Sequence, residues 1–267
     1  MKQTKFITML LLATLALTFY SCSNDDDDDF DNGINGKKIT KIVNEYGKDD
    51  VRTETFSYSN GKMTKYVAYY DGDYAYTENN QTISYSGNTV VIDGLLDGNK
   101  CTQTYTLNSN GLAISCKIVY DKDEDMDDYN YTFQYSDGYL SGISLKYDNY
   151  KETQVFTYSN GNISKLAYQE SGNNIYNEDY TFTYSNNENT GGIMNPFLWD
   201  MLFSHVPAYY MGIFGKSTKN LAVSCIKKHT YQTTYTEETS CVYSLDNDKY
   251  VKIATFSDGD KFTYTFE

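Results

Sequence analysis

The sequence predicts an all-β fold, an antiparallel up-and-down meander of about 14–16 strands curled into a barrel or half-barrel. Short strand-like runs are separated by Asn-Gly or Asp-Gly pairs, the strongest local signal for a β-hairpin. The composition also favours strands, because 29 of the 267 residues are Tyr and only 2 are Pro. A short helical insertion near residues 193–214 interrupts the meander.

One hairpin motif recurs along the chain. The sequence FSYSNGKM at 56–63 is nearly repeated as FTYSNGNI at 156–163, and FQYSDGYL at 133–140 is a third copy. The anchor residues of these and weaker copies are Tyr58, Tyr85, Leu107, Tyr135, Tyr158 and Tyr184. Their spacing of 22 to 28 residues is typical of a repeated unit that must stack on its neighbours to bury one face.

The connections between strands predict a barrel with two unlike edges. Tight Asn-Gly turns lie at one edge, and longer polar or acidic loops such as 93–99 and 121–128 lie at the other. Apolar residues alternate along the strands with Ser, Thr, Lys and Gln. One face of the sheet is therefore polar, whereas a membrane-spanning barrel needs an outward apolar band. We accordingly expect a barrel that does not cross the membrane.

The interruption at 193–214 has the pattern of a short helix. Asn195 can cap a helix that has Pro196 at its first position. Apolar residues then recur four positions apart on one face, and a second short helix can begin at Pro207. We expect this segment to pack its aromatic and aliphatic side chains against the sheet.

The aromatic content of the insertion leaves two interpretations open. In the first, it is a plug that fills the barrel mouth or covers a sheet edge. In the second, it is a lid that binds a ligand through Trp199, Tyr209 and Tyr210, since Trp and Tyr are favoured interface anchors.

The N-terminal region predicts where in the cell the protein is located. Residues 1–21 resemble a lipoprotein signal peptide, with a positive start and an apolar run at 6–19 that is too short to span a bilayer. Cleavage would leave Cys22 as the lipidated first residue. Residues 22–33 form an acidic tether that resembles the export tag of Bacteroidota-type lipoproteins. This resemblance implies a lipid-anchored protein of the outer membrane that faces the cell exterior.

The acidic leader, the Phe-x-Tyr-Ser-Asn-Gly hairpins and the Asn-Pro-Phe-Leu segment at 195–198 together resemble a family of Bacteroidota-type surface lipoproteins of unknown function. The hairpins are also similar to Tyr-Asp (RHS-type) repeats. The family resemblance implies a porin-like fold over residues 34–267, with the N-terminal lipid as the only membrane contact. The resemblance implies no particular biochemical activity.

Charge narrows the possible functions. The formal net charge is −14 and Arg52 is the single arginine, so we expect no nucleic-acid partner. His205 and His229 lie in unrelated contexts, and we predict no cofactor. We expect a binding or adhesion module for a glycan or an envelope protein. The alternatives are a hydrolase that uses acidic loop residues and a purely structural envelope protein.

Four cysteines remain after Cys22. Cys225 and Cys241, on adjacent late strands, are the more plausible disulfide pair, and small buried thiols are the alternative. In the predicted hairpin register Cys116 faces Tyr105, so that Cys101 and Cys116 do not face each other.

The acidic loop at 121–128 is a weak candidate for calcium. It has Asp at every second position, namely Asp121, Asp123, Asp125 and Asp127. An EF-hand loop needs Gly at its sixth position and Glu at its twelfth, but this loop has Met126 and Thr132. We therefore predict a solvated acidic loop and no metal site.

Overall fold

The described part of the chain forms a closed barrel of sixteen antiparallel strands. The computed structural model describes residues 36–47, 50–72, 75–122, 126–147, 150–171, 176–230 and 233–267. Each strand pairs with its neighbours in sequence, and β1 pairs with β16 to close the barrel. The predicted up-and-down meander is confirmed. The predicted signal peptide, Cys22 and the acidic tether lie outside the described residues.

The strands and helices have the following bounds. The strands are β1 (Ile39–Tyr46), β2 (Asp50–Ser59), β3 (Lys62–Asp71), β4 (Tyr76–Ser86), β5 (Thr89–Leu96), β6 (Asn99–Leu107), β7 (Ala113–Tyr120), β8 (Tyr129–Ser136), β9 (Tyr139–Tyr147), β10 (Tyr150–Ser159), β11 (Asn162–Ser171), β12 (Tyr176–Glu188), β13 (Asn220–Thr230), β14 (Thr234–Leu245), β15 (Val251–Phe256) and β16 (Lys261–Phe266). Between β12 and β13 lie α1 (Trp199–Leu202), α2 (Val206–Tyr210) and the 3₁₀ turns Pro196–Leu198 and Phe203–His205.

The barrel has two different ends. We call the end that contains the Asn-Gly turns, such as the one between β2 and β3, the tight-turn end. The opposite end, which contains the connections after β1, β3, β7, β9 and β11, is the acidic-loop end. Both described termini lie at the tight-turn end, where the backbone of Lys38 pairs with that of Glu267 at 2.7 and 2.9 Å.

The repeated hairpin motif folds as its turn residues predict. Asn60 and Gly61 both have positive φ, 48° and 78°, as a type I′ turn requires. The Asp137-Gly138 and Asn160-Gly161 turns have the same pattern of positive φ. The ladder register shifts by one residue just beyond all three turns. A bulge therefore accompanies each copy of the motif and increases the local twist of the strands.

Anchor tyrosines of the repeat connect one hairpin to the one before it. The Tyr85 hydroxyl donates to the Met63 carbonyl at 3.0 Å, and the Tyr135 hydroxyl donates to the Ala113 carbonyl at 2.8 Å. Both acceptors lie near the start of a strand at the tight-turn end. The repeat period therefore equals one hairpin of the barrel, and the tyrosine satisfies a neighbouring backbone acceptor.

The outer wall of the barrel is polar. On β10 the outward positions are Lys151, Thr153, Val155 and Thr157, and on β12 Asp179, Thr181 and Thr183 are exposed. The inward positions from Tyr150 to Tyr158 and from Tyr176 to Tyr184 alternate with them and are buried or partly buried. The predicted alternation of a polar and a buried face is thus confirmed.

The insertion between β12 and β13 packs inside the barrel. Asn195 caps its first turn by accepting from the Phe197 backbone N–H at 3.2 Å, as predicted. Its aliphatic residues are buried, and Leu198, Leu202 and Val206 belong to the main hydrophobic core. The carbonyls of Gly138 and Gly161 accept from the backbone of Lys216 and Lys219, which fixes the returning segment to the tight turns. No helix in the described ranges is long and apolar enough to cross a membrane.

All four described cysteines are buried free thiols. The expected Cys225–Cys241 disulfide is not formed, because the register of β13 and β14 places Cys225 opposite Thr239. The alternative of small buried thiols matches the structure, and burial raises the pKa of Cys241 to about 11. The predicted pairing of Cys116 with Tyr105 is confirmed.

A stability test follows from the burial of Trp199. Its side chain is 5% exposed and packs edge-on against Phe262, with ring centroids 5.5 Å apart. We expect Trp199→Ala to lower the free energy of unfolding by about 3–5 kcal/mol, measured by urea titration with circular dichroism. Val242→Ala, at an outward position that is 69% exposed, is the control and should change it by less than about 0.5 kcal/mol. Equal effects of the two substitutions would contradict packing of the insertion inside the barrel.

Candidate functional site

A cavity of about 320 Å³ lies inside the acidic-loop half of the barrel. Strands β8 to β12 form one side of it, and the insertion forms the other. The wall residues are Tyr131, Ile143, Glu152, Gln154, Tyr168, Tyr176 and Glu178. The insertion contributes Asp200, Met201, Phe203, Ser204 and His205. The cavity therefore combines aromatic rings with carboxyl, amide, hydroxyl and imidazole groups.

Gln154 is the central polar residue of the wall. It occupies an inward position on β10 and is only 4% exposed. Its Nε2 donates to Glu152 Oε1 at 2.9 Å and to the Met201 carbonyl at 3.4 Å. Its Oε1 has no hydrogen-bond partner. An amide oxygen that is buried without a donor costs about 1–3 kcal/mol, and a ligand that donates to it would recover this cost.

On the insertion side of the cavity, His205 is a buried polar residue with an unpaired atom, as Gln154 is on the wall. It is 3% exposed, and its Nδ1 lies 2.7 Å from the Tyr105 hydroxyl. Its ring packs edge-on against Tyr131 at a centroid distance of 4.6 Å. Burial lowers the pKa of His205 to about 3, so the imidazole is neutral at neutral pH. Its Nε2 has no partner and, depending on the tautomer, can donate or accept a hydrogen bond.

Two carboxylates of the cavity have opposite electrostatic environments. Burial raises the pKa of Glu152 above its usual range, and the hydrogen bond from Gln154 opposes this effect only in part. Burial alone would also raise the pKa of Glu178. Hydrogen bonds from Lys227, Tyr176 and Tyr180 outweigh that effect and lower the pKa of Glu178. Glu178 is therefore the fixed negative charge of the wall.

A paired network holds Glu178 in place. Lys227 Nζ lies 2.7 Å from its Oε1, and His229 Nδ1 lies 2.9 Å from the same oxygen. His229 also stacks on Tyr235 with ring centroids 4.2 Å apart. His205 and His229 thus belong to different contact sets, as their separate sequence contexts suggested.

A second buried charge cluster lies where β2 and β4 face the insertion. The guanidinium of Arg52 forms ion pairs with Glu54 and Glu78, and all three residues are buried. The guanidinium carbon lies 5.6 Å from the Trp199 ring centre and 4.9 Å from that of Phe203. The arginine therefore binds the insertion through its aromatic faces while its charge is neutralised by the wall.

The three aromatic residues that were candidates for ligand contact have structural contacts. Trp199 packs on Phe262 and Arg52, as described above. The Tyr209 hydroxyl donates to the Ile193 carbonyl at 3.2 Å, and the Tyr210 ring packs 5.1 Å from that of Phe56. None of the three lines the cavity. A role for them in ligand binding stays a prediction.

Part of the acidic loop at 121–128, the calcium candidate, lies within the described residues. Asp121 and Asp127 are exposed, and Asp121 pairs with Lys100 at 2.7 Å. Asp123 and Asp125 lie outside the described residues. Within the described ranges, no group of three or more His, Cys, Asp or Glu side chains could hold a metal ion.

Sequence reasoning missed Gln154, Glu152 and Glu178 as site residues. Each occupies a polar position in phase with the buried apolar residues of its strand. A polar side chain at an inward position is the signal that could have found them, because buried polar groups need partners.

The fold and the cavity together define a porin-like barrel whose lumen is filled by an internal plug and retains a polar pocket. The chain belongs to the family described as a domain of unknown function (DUF4595) with porin-like fold, which matches residues 56–252. The suspected family resemblance is thus confirmed.

Two solved structures are similar over most of the chain. A porin-like protein from Bacteroides uniformis ATCC 8492 has a TM-score of 0.67 and 25% identity, covering 86% of this chain and 98% of that one. A porin-like protein from Bacteroides vulgatus ATCC 8482 has a TM-score of 0.59 and 13% identity, covering 87% and 99%. The second likeness shows the fold alone. A comparison with curated proteins finds no match.

His205 predicts a pH dependence of stability. Its folded pKa of about 3 lies below the ordinary value of 6.5, so the unfolded chain binds more protons between these values. The contribution of His205 to stability should therefore fall as the pH drops below 6.5, by up to about 1.4 kcal/mol per pH unit. We expect His205→Gln to lose about 2 kcal/mol less than the unmodified protein between pH 7 and pH 5, measured by urea titration.

The difference between His205→Gln and the unmodified protein isolates the titration of His205, because Glu54 and Glu178 titrate in both proteins. Glu54 has the opposite sign, since burial raises its pKa to about 7. Parallel pH profiles for the two proteins would contradict a buried neutral His205.

Proposed function

We propose that this protein is a lipid-anchored surface protein of the outer membrane whose barrel binds a small neutral glycan in the cavity. One observation carries the binding proposal. Gln154 Oε1 and His205 Nε2, both on buried residues that line the cavity, have no hydrogen-bond partner. Both atoms are themselves buried, so binding requires a small side-chain shift that opens them to the cavity; a sugar hydroxyl can then donate to the amide oxygen and bond the imidazole nitrogen in either tautomer.

The size and lining of the cavity support a sugar. Its volume of about 320 Å³ is near the lower end of the usual range of about 300–1,000 Å³ for small-molecule sites. Tyr131, Tyr168 and Phe203 supply aromatic surface against which the C–H face of a sugar ring can pack. Asp200 and Glu178 make the site unfavourable for anionic ligands.

The position of the termini supports an orientation relative to the membrane. The described chain begins at residue 36 beside the tight-turn end, and thirteen residues separate it from Cys22. The tether joins the barrel at the tight-turn end, so we propose that this end is the one nearer the bilayer. The acidic-loop end and the cavity would face away from the bilayer.

The polar outer wall supports a barrel that stands outside the membrane. A lipid-facing wall is an apolar band flanked by aromatic residues, and charged side chains on it are destabilising. The outward positions here include Lys151, Asp179 and Lys228, all exposed. The N-terminal lipid would then be the membrane contact.

One observation also supports the alternative of a hydrolase. Glu152 and Glu178 line the same cavity, with pKa values shifted in opposite directions by their surroundings. Such pairs serve as acid and base in glycoside hydrolysis. These carboxylates come from strands, whereas the sequence had pointed to the acidic loops. Release of reducing ends in the binding experiments below would favour this alternative.

The binding proposal predicts the effect of one substitution. We expect Gln154→Leu to weaken binding of neutral mono- and disaccharides of glucose, galactose, mannose and xylose by about tenfold or more, because it removes the buried acceptor. Binding is measured by isothermal titration calorimetry on the full-length protein extracted in detergent.

Gln81→Leu is the matched control for that measurement. Gln81 is 1% exposed on β4 and its Oε1 also lacks a partner, but it does not line the cavity. We expect it to bind the same sugars as the unmodified protein does. If no neutral sugar binds, or if both glutamine variants bind equally well, the proposal is wrong.

The proposed lipid on Cys22 predicts that the protein leaves the membrane when this cysteine is replaced. We expect Cys22→Ala to prevent lipidation and to move the protein from the membrane fraction to the soluble fraction, which fractionation and immunoblotting detect. Ser23→Ala is the control, since it leaves the lipidated cysteine in place. Membrane association that persists in Cys22→Ala would contradict the lipid anchor.

A further inference from the structure

An arc of tyrosines lies beside the cavity at the acidic-loop end. Tyr120 ends β7, Tyr129 begins β8, Tyr147 ends β9 and Tyr150 begins β10. Each is in phase with the inward positions of its strand, and each is partly exposed. Four neighbouring strands therefore place a tyrosine at the same level of the inner rim.

The rings of the arc contact one another in sequence. The centroid distances are 5.8 Å from Tyr120 to Tyr129, 5.1 Å from Tyr129 to Tyr147 and 4.6 Å from Tyr147 to Tyr150. These spacings follow the distance of about 4.8 Å between neighbouring strands. The result is a continuous row of rings with about one per strand, in which Tyr120 meets Tyr129 edge-on and Tyr147 is tilted by 33° to Tyr150.

The arc continues into the cavity. Tyr150 on β10 and Tyr168 on the neighbouring β11 both occupy inward positions, and the Tyr168 ring lies 6.2 Å from that of Tyr176. Tyr168 and Tyr176 both line the cavity. A ligand seated between Gln154 and the insertion could therefore extend along the rim without leaving aromatic surface.

We infer that the ligand is a neutral oligosaccharide that places one end in the cavity and stacks its following sugar units on the arc from Tyr150 to Tyr120. This inference rests on the proposed glycan-binding function and specifies the ligand as a chain. Aromatic faces pack against successive sugar rings, and phenol hydroxyls hydrogen-bond the sugar hydroxyls. The exposed carboxylates of Asp121 and Asp127 disfavour sulfated and uronic-acid chains.

The dependence of binding affinity on the number of sugar units tests this inference. The probes are cello-, manno- and xylo-oligosaccharides of one to six units, titrated by calorimetry into the full-length protein in detergent. We expect at least one series to bind about tenfold more tightly as the tetramer than as the monosaccharide. Tyr129→Ala and Tyr147→Ala should each weaken tetramer binding about fivefold and leave monosaccharide binding unchanged.

Two controls separate ring stacking from general damage. Tyr129→Phe keeps the ring and should retain most of the gain with chain length. Tyr69→Ala removes a tyrosine that is 41% exposed at an outward position on β3, and it should bind every probe as the unmodified protein does.

Each outcome has one meaning. Affinity that does not depend on chain length, or tetramer binding that survives both alanine substitutions, overturns the inference and leaves the cavity proposal in place. Absence of binding by monosaccharides and oligomers alike overturns both.

Discussion

Closing a sheet of sixteen strands creates an interior wider than the side chains of the strands can fill, and the rest of the molecule depends on how this space is occupied. Barrels of this size in outer membranes leave a water-filled channel. Here the segment between β12 and β13 turns inward, and Leu198, Leu202 and Val206 join the core that the strands build. The insertion therefore fills part of the interior of the closed barrel with apolar side chains.

Because a short segment fills a wide polar lumen, many polar groups of the wall are buried and need hydrogen-bond or ion-pair partners. Charges on the wall must be paired inside the barrel, as Arg52 is with Glu54 and Glu78. Neutral polar atoms are paired less completely, and Gln81 Oε1 is one that lacks a partner away from the cavity. Gln154 Oε1 and His205 Nε2 differ in that both belong to residues lining one cavity, and this coincidence is what supports a ligand there.

The sequence predicted the fold more fully than the site, for a physical reason. Turn chemistry and alternation act locally, and Asn60-Gly61 fixes its hairpin whatever surrounds it. Closure and the path of the insertion depend on contacts between distant residues, so the plug and lid interpretations stayed open. Gln154 and His205 line the same cavity although they come from β10 and from the insertion. Likewise, the pairing of β13 with β14 decides that Thr239 lies opposite Cys225. No local pattern encodes these contacts.

The most direct test of the account is a crystal structure of the full-length protein in detergent, grown with a neutral tetrasaccharide from the series that binds best. We expect a sugar unit hydrogen-bonded to Gln154 Oε1 and His205 Nε2, with the following units stacked on Tyr150, Tyr147 and Tyr129. A sugar bound only at the tight-turn end or on the outer wall, with the cavity holding water alone, would contradict it.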